Sequence, residues 1–237
     1  MELSGNTVAL ITGGSKGIGY GIAESLVKLG VRVAITSRHK DEADKAAEAL
    51  GNKDQVMGLK ADVRDFGSQE EAVARVLDTW GQLDILVANA GVGHFAPVEE
   101  LTLEQWQQTI DTNLTGVFYS IKASVAALKK SQGYIFTISS LAGTNFFANG
   151  SAYNASKFGL TGFTQAVMLD LRNYGIKVST IMPGSVATHF NNHSPSEEDA
   201  WKIQKEDIGE LVVDLLEMNP RALPSKIEIR PTTPPKK

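Results

Sequence analysis

Short apolar runs alternate along this chain with longer stretches in which apolar positions recur every three or four residues. Val8–Ile11 is a four-residue apolar run, the mark of a parallel strand buried on both faces. Similar runs at 31–36, 56–60, 83–87, 134–138, 178–182 and 226–229 predict six more strands. Helical periodicity fills the segments between them, at 17–29, 41–50, 68–80, 103–130, 151–174 and 207–218. Gly30, Gly51, Gly81 and Gly175 stand where four of these helices should stop, and Thr102 stands as an N-cap for the long one. Seven strands alternating with helices predict an α/β fold, a Rossmann-type doubly wound parallel sheet in one domain over 1–230. The Pro/Lys-rich segment 231–237 reads as a flexible tail.

Such sheets bind ligands beyond the carboxyl ends of their strands, where the strand order reverses. The polar chemistry does gather there. The first apolar run leads into Thr12-Gly13-Gly14-Ser15-Lys16-Gly17-Ile18-Gly19, a glycine-rich turn that opens a helix. Backbone N–H groups at such a turn can approach a pyrophosphate. Tyr153 and Lys157 lie four residues apart in a helical segment, so both leave one face. An ammonium beside a phenol is expected to lower the phenol pKa and fit it for proton exchange.

Composition narrows the classes. The 237 residues are 42% hydrophobic and 21% charged, with a net charge of -4. No basic tract suggests nucleic acid, and no run reaches the length of a membrane span. The sequence has no cysteine, which excludes disulfides and thiolate chemistry, and no metal site is expected. The first residues lack the features of a signal peptide, so the expected compartment is the cytoplasm.

The T-G-x-x-x-G-x-G spacing and Tyr153-x-x-x-Lys157 together resemble the short-chain dehydrogenases/reductases, in particular 3-oxoacyl-ACP-reductase-like members. The resemblance runs from about residue 7 to 204. Asn89-Ala90-Gly91 is similar to the family's N-N-A-G turn, with Ala88 in place of the first Asn. Asn113 matches a helix asparagine of the family. Ser140 lies thirteen residues before Tyr153, as the family's catalytic serine does, and Ser139 reads as structural. Pro183-Gly184-Ser185-Val186-Ala187-Thr188 resembles the segment that holds the nicotinamide carboxamide.

The resemblance implies reduction of a ketone, aldehyde or 3-oxoacyl group to an alcohol by hydride transfer. Tyr153 would be the proton donor, Ser140 the hydrogen-bond donor to the substrate oxygen, Lys157 the group that tunes Tyr153 and grips the nicotinamide ribose, and Asn113 the holder of a water. The cofactor would rest on Gly13, Ser15, Lys16, Gly17, Ile18 and Gly19, then on Asn89, Ala90 and Gly91, with Pro183, Gly184, Val186 and Thr188 at its far end. Asp62 and Val63 would take the adenine. The second strand ends Thr36-Ser37-Arg38 without the acidic residue that NAD-specific relatives carry. Ser37, Arg38 and Lys16 therefore imply NADP(H).

His94, Phe146, Phe147 and His189, with Phe95 and Asn149, are candidates for the substrate pocket. The segment 189–205 corresponds to the family's lid. It is short and polar, which implies an open site. A non-catalytic NADP(H)-binding regulator or sensor is the alternative on this fold, and the intact Ser140, Tyr153, Lys157 and Asn113 argue against it. An epimerase or dehydratase of the extended branch would need a larger C-terminal region. Small residues on the long helices, Ala123, Ala126, Ala127 and Ala166, permit close helix contact, and the resemblance implies a homodimer through these helices, or a homotetramer if the last strand also pairs.

Overall fold

A computed structural model describes residues 3–233. Of the tail expected at 231–237, residues 234–237 lie outside the described residues. One sheet carries seven parallel strands: β1 (Val8–Ile11), β2 (Arg32–Ser37), β3 (Val56–Lys60), β4 (Ile85–Ala88), β5 (Tyr134–Ile138), β6 (Lys177–Pro183) and β7 (Lys226–Ile229). Their order is β3-β2-β1-β4-β5-β6-β7, so the direction of winding reverses between β1 and β4. The helices are α1 (Gly17–Lys28), α2 (Lys40–Leu50), α3 (Phe66–Trp80), α4 (Leu103–Ile110), α5 (Gly116–Ser131), α6 (Ser151–Leu171) and α7 (Lys205–Glu217).

The central strands are apolar throughout because helices cover both faces. Ala9 and Ile11 of β1, Val33 and Ile35 of β2, and Ile85 and Val87 of β4 pack with Ile22 and Leu26 of α1 and Val212 and Leu216 of α7. The alternate residues Val8, Leu10, Ala34, Leu86 and Ala88 pack on the other side with Val76 of α3, Val117, Ile121 and Leu128 of α5, and Leu160 of α6. A period of two on a doubly covered sheet thus gives two cores from unbroken apolar runs.

The expected boundaries hold to within a few residues, with one informative exception. The single helix expected over 103–130 is two helices joined by a π turn at Asp111–Thr115, with Gly116 N–H reaching back to the Asp111 carbonyl. Periodicity alone does not register one inserted residue, because the apolar stripe resumes on the same face beyond it. Thr102 caps α4 as expected: its hydroxyl accepts from Gln105 N–H while the Gln105 side chain accepts from Thr102 N–H. Helix α3 starts two residues earlier than its pattern suggests, because Asp65 caps it by accepting from Gly67 N–H.

Candidate active site

The loops after β1 and β4 are stitched together at the reversal point. Thr12 Oγ1 accepts from Asn89 N–H at 3.0 Å and Ala90 N–H at 3.2 Å, and Asn89 Nδ2 donates to the carbonyls of Thr12 and Gly13 at 2.9 and 3.0 Å. This close approach explains two of the glycines. Gly13 has φ +63°, and a Cβ there would lie 2.9 Å from Ala90 Cα; at Gly19 it would lie 2.5 Å from Asn89 Nδ2. Helix α1 begins directly beneath, with Lys16 as an N-cap that offers no side-chain acceptor. Its first-turn N–H groups are left for another anion.

One cleft of about 790 Å³ runs across these loops and the ends of β2, β3, β5 and β6. At one end stand Ser37, Arg38, Asp62 and Val63; along the middle Gly13, Ser15, Lys16, Gly17, Ile18, Asn89, Ala90 and Gly91. At the other end stand Ser140, Tyr153, Lys157, Pro183, Gly184, Val186, Thr188, His94 and His189. The glycine cradle and the open helix terminus fit a phosphate-bearing dinucleotide.

Six expected site residues lie outside the lining, Phe95 and Asn149 among them. Gly19 is buried under Asn89. Asn113 is fully buried behind the cleft wall: Val92 N–H donates to its Oδ1 at 2.8 Å, and its Nδ2 donates to the Val92 carbonyl at 2.8 Å and to Ser156 Oγ at 3.0 Å. Its amide therefore has no donor left for the water expected of it. Phe146 turns out to solvent at 86% exposure, away from the cleft. Phe147 is half-exposed and packs on Phe95, with ring centres 5.9 Å apart.

The reacting end has an aromatic wall. Tyr153 is flanked by Phe95 at 5.3 Å and Phe190 at 5.7 Å between ring centres. Gly93 makes room for both rings, since a Cβ there would lie 2.7 Å from Phe190 and 2.9 Å from Phe95. Phe190 belongs to the lid, so this short and largely exposed segment also sets an aromatic ring against Tyr153. Further along the lid, buried Asp199 anchors it. Lys202 Nζ lies 2.5 Å and His193 Nε2 2.6 Å from its two oxygens, and Ser196 N–H donates to it at 3.0 Å. The Lys202 ammonium first, and His193 with it, hold the Asp199 carboxyl well below the usual range. The lid closes back on its own start through Ala187 N–H to the Ile203 carbonyl and Ile203 N–H to the Ser185 carbonyl.

The electrostatics of the Tyr153–Lys157 pair differ from expectation. Lys157 is buried, its Nζ donates to the Ile138 carbonyl at 2.9 Å, and it stands 5.7 Å from the Tyr153 ring centre. Burial lowers its pKa to about 8. Burial also raises the Tyr153 phenol, an effect that its hydrogen bond to Ser140 partly offsets. Desolvation thus dominates the phenol, and the lowering expected from the ammonium is not among the causes that act on it. Ser139 is buried and bonded to Thr161 Oγ1 and the Lys157 carbonyl, a packing role as expected.

The adenosine end holds two further departures. Arg64 forks onto Asp62, with Nη2 at 2.6 Å, and this bond lowers the Asp62 carboxyl. The acceptor expected to meet adenine is therefore already engaged. Glu42 also lines this end and accepts the Ser37 hydroxyl at 3.0 Å. A carboxylate is thus present that the end of β2 did not reveal.

These features match known proteins. The family described as short chain dehydrogenase matches residues 7–199. The chain is 38% identical over 188 residues to trans-4-hydroxycyclohexanecarboxylate dehydrogenase of Sinomonas cyclohexanicum, covering 76% of this chain and 73% of that protein. It is 35% identical over 193 residues to 3-oxoacyl-[acyl-carrier-protein] reductase of Synechocystis sp., covering 80% and 78%. An alcohol dehydrogenase from the archaeon Thermococcus sibiricus, solved in complex with 5-hydroxy-NADP, superposes with a TM-score of 0.90 at 29% identity, over 98% of this chain and 99% of that one. The chain belongs to the short-chain dehydrogenase/reductase family and is an oxidoreductase of that family. No helix among the described residues is long and apolar enough to cross a membrane.

Proposed function

We propose that the protein is an NADP(H)-dependent reductase that interconverts a carbonyl compound and its alcohol. The observation that carries this reading is the convergence of Ser140, Tyr153 and Lys157 on the cleft whose floor is the glycine turn. The nicotinamide, when bound, supplies the hydride. Tyr153 gives its phenolic proton to the carbonyl oxygen as the hydride reaches carbon, so the two transfers together yield a neutral alcohol. Ser140 donates to the same oxygen, and that bond strengthens as negative charge develops there. Lys157 restores the proton balance of Tyr153 and holds the ribose. Phe95 and Phe190 give the reacting oxygen an apolar wall beside Tyr153.

Arg38 and Lys16 line the cleft and are exposed, free to meet a 2′-phosphate. A charge-assisted contact is worth roughly 1.5–3 kcal/mol, so NADPH should bind at least about tenfold tighter than NADH. Calorimetric titration with both cofactors tests the preference, and equal affinities would refute it. A panel of cyclic, aromatic and 3-oxoacyl ketones, followed by NADPH absorbance, tests the reaction. Tight NADPH binding with no turnover on any of them would favour the sensor. The assembly we propose is a homodimer through α5 and α6.

A further inference from the structure

We propose that Glu42 is a cofactor-selecting residue that competes with the cofactor's 2′-phosphate for the Ser37 hydroxyl; the inference rests on the NADP(H) reading above. A serine hydroxyl has one hydrogen to donate. In this structure that hydrogen goes to Glu42 Oε2 at 3.0 Å, while Ser37 Oγ itself accepts from His39 N–H at 3.3 Å. The single hydrogen of Ser37 is therefore committed to the first turn of α2. A phosphate seated between Ser37 and Arg38 needs the hydrogen that Glu42 holds.

Sequence and fold explain the placement. Ser37 is the last residue of β2 and is buried at 8% exposure, so its hydroxyl has little freedom. Glu42 sits in the first turn of α2, which starts at Lys40, and its carboxylate is favoured there by the helix dipole. Five residues after Ser37, the chain has turned enough to bring that carboxylate back onto the strand end. Both residues line the cleft with Arg38 and His39. Glu42 thus behaves as an internal anion at the anion site. A 2′-phosphate must break the Ser37–Glu42 bond and settle beside a carboxylate, whereas an unphosphorylated ribose leaves both undisturbed. Arg38 and Lys16 set the preference for the phosphate, and Glu42 holds it down.

The test uses adenosine fragments, which bind without any chemistry. Calorimetric titrations with 2′,5′-ADP and 5′-ADP compare the full-length wild type with Glu42→Ala, Ser37→Ala and the double variant. Glu42 is exposed, so the fold should persist; unchanged thermal unfolding checks this. Glu42→Ala should bind 2′,5′-ADP about tenfold tighter, the value of one charge-assisted hydrogen bond, with 5′-ADP within about twofold. In the Ser37→Ala background the gain should shrink to less than about threefold, because the contested hydrogen is gone. Unchanged 2′,5′-ADP affinity in Glu42→Ala overturns the proposal. So does weakened 5′-ADP binding, which would make Glu42 a ribose acceptor, and so does a gain that survives Ser37→Ala in full. The underlying preference fails separately, if wild type binds 5′-ADP as tightly as 2′,5′-ADP.

Discussion

Asn113 holds Val92 by both of its backbone groups, taking the N–H and giving to the carbonyl, each at 2.8 Å. A side-chain amide here pairs with a loop residue as a neighbouring strand would. It fixes the segment after β4 against α6, because its remaining hydrogen goes to Ser156. The π turn around Asn113 supplies the offset that aims it, and inserted residues of this kind recur at functional sites. Asn113→Leu leaves two backbone groups of Val92 without partners, at roughly 1–3 kcal/mol each. The variant should lose about 2–4 kcal/mol in urea unfolding. A loss below about 0.5 kcal/mol would show that the loop relaxes to water.

The division of labour at the reacting end separates two variants. The Tyr153 hydroxyl faces the substrate side beside Ser140, whereas Lys157 is buried beneath, 3.7 Å from where a Cβ of Gly91 would stand. Tyr153→Phe should nearly abolish turnover and leave NADPH affinity almost unchanged. Lys157→Ala should damage both. Retention of more than about a tenth of wild-type rate in Tyr153→Phe, on a good substrate, would remove it as the acid.

Lys157 also makes stability depend on pH, with a definite sign. Its pKa falls from 10.5 to about 8 on folding, so between these values the unfolded chain binds more protons. Stability from this group therefore rises with pH from about 8 toward 10.5. Tyr153 and Tyr134, both raised by burial, act in the opposite direction only above their ordinary value of 10.0. Denaturant unfolding of wild type and Lys157→Met at pH 8 and pH 10 isolates the effect. The wild type should gain on the variant over that interval. A gap that stays constant would mean that the ammonium is solvated in the folded protein.

The sequence made the sheet, the glycine turn and the Ser140–Tyr153–Lys157 set legible, because each rests on a local spacing that the backbone converts directly into position. Three things were not legible. The π turn costs one residue and leaves the apolar stripe intact. Phe190 reads as one aromatic in a polar lid, and only the return of that lid through Ile203 brings its ring onto Tyr153. Glu42 lies in a helix whose first residue decides which way it points, and the pattern places that start a residue late, at 41 instead of Lys40. The direction of the Tyr153 shift was missed for a different reason. Spacing shows that Lys157 shares its face but not how deeply both are buried.

The exposed face of α6 predicts the assembly. Ala155, Phe158, Gly162, Ala166 and Leu169 are all exposed and follow one another at intervals of three or four, one continuous apolar stripe. Val117, Ile121, Phe163 and Leu171 of these two helices are buried or packed on the core, while Phe118 and Phe158 turn outward at 41% and 43% exposure. Phe118 of α5 lies 6.1 Å from Phe163 of α6 between ring centres, so the two helices present a shared surface. Small residues at Gly162 and Ala166 let a second helix approach closely, and a surface that meets its own copy closes at two subunits. The protein should therefore run as a dimer in light scattering at micromolar concentration. Gly162→Arg is the sharpest test, since a Cβ there has nothing within 4 Å and the monomer fold should accept it. That variant should run as a monomer with unchanged far-ultraviolet circular dichroism. A dimer that survives both Gly162→Arg and Ala126→Arg would place the interface elsewhere on the molecule.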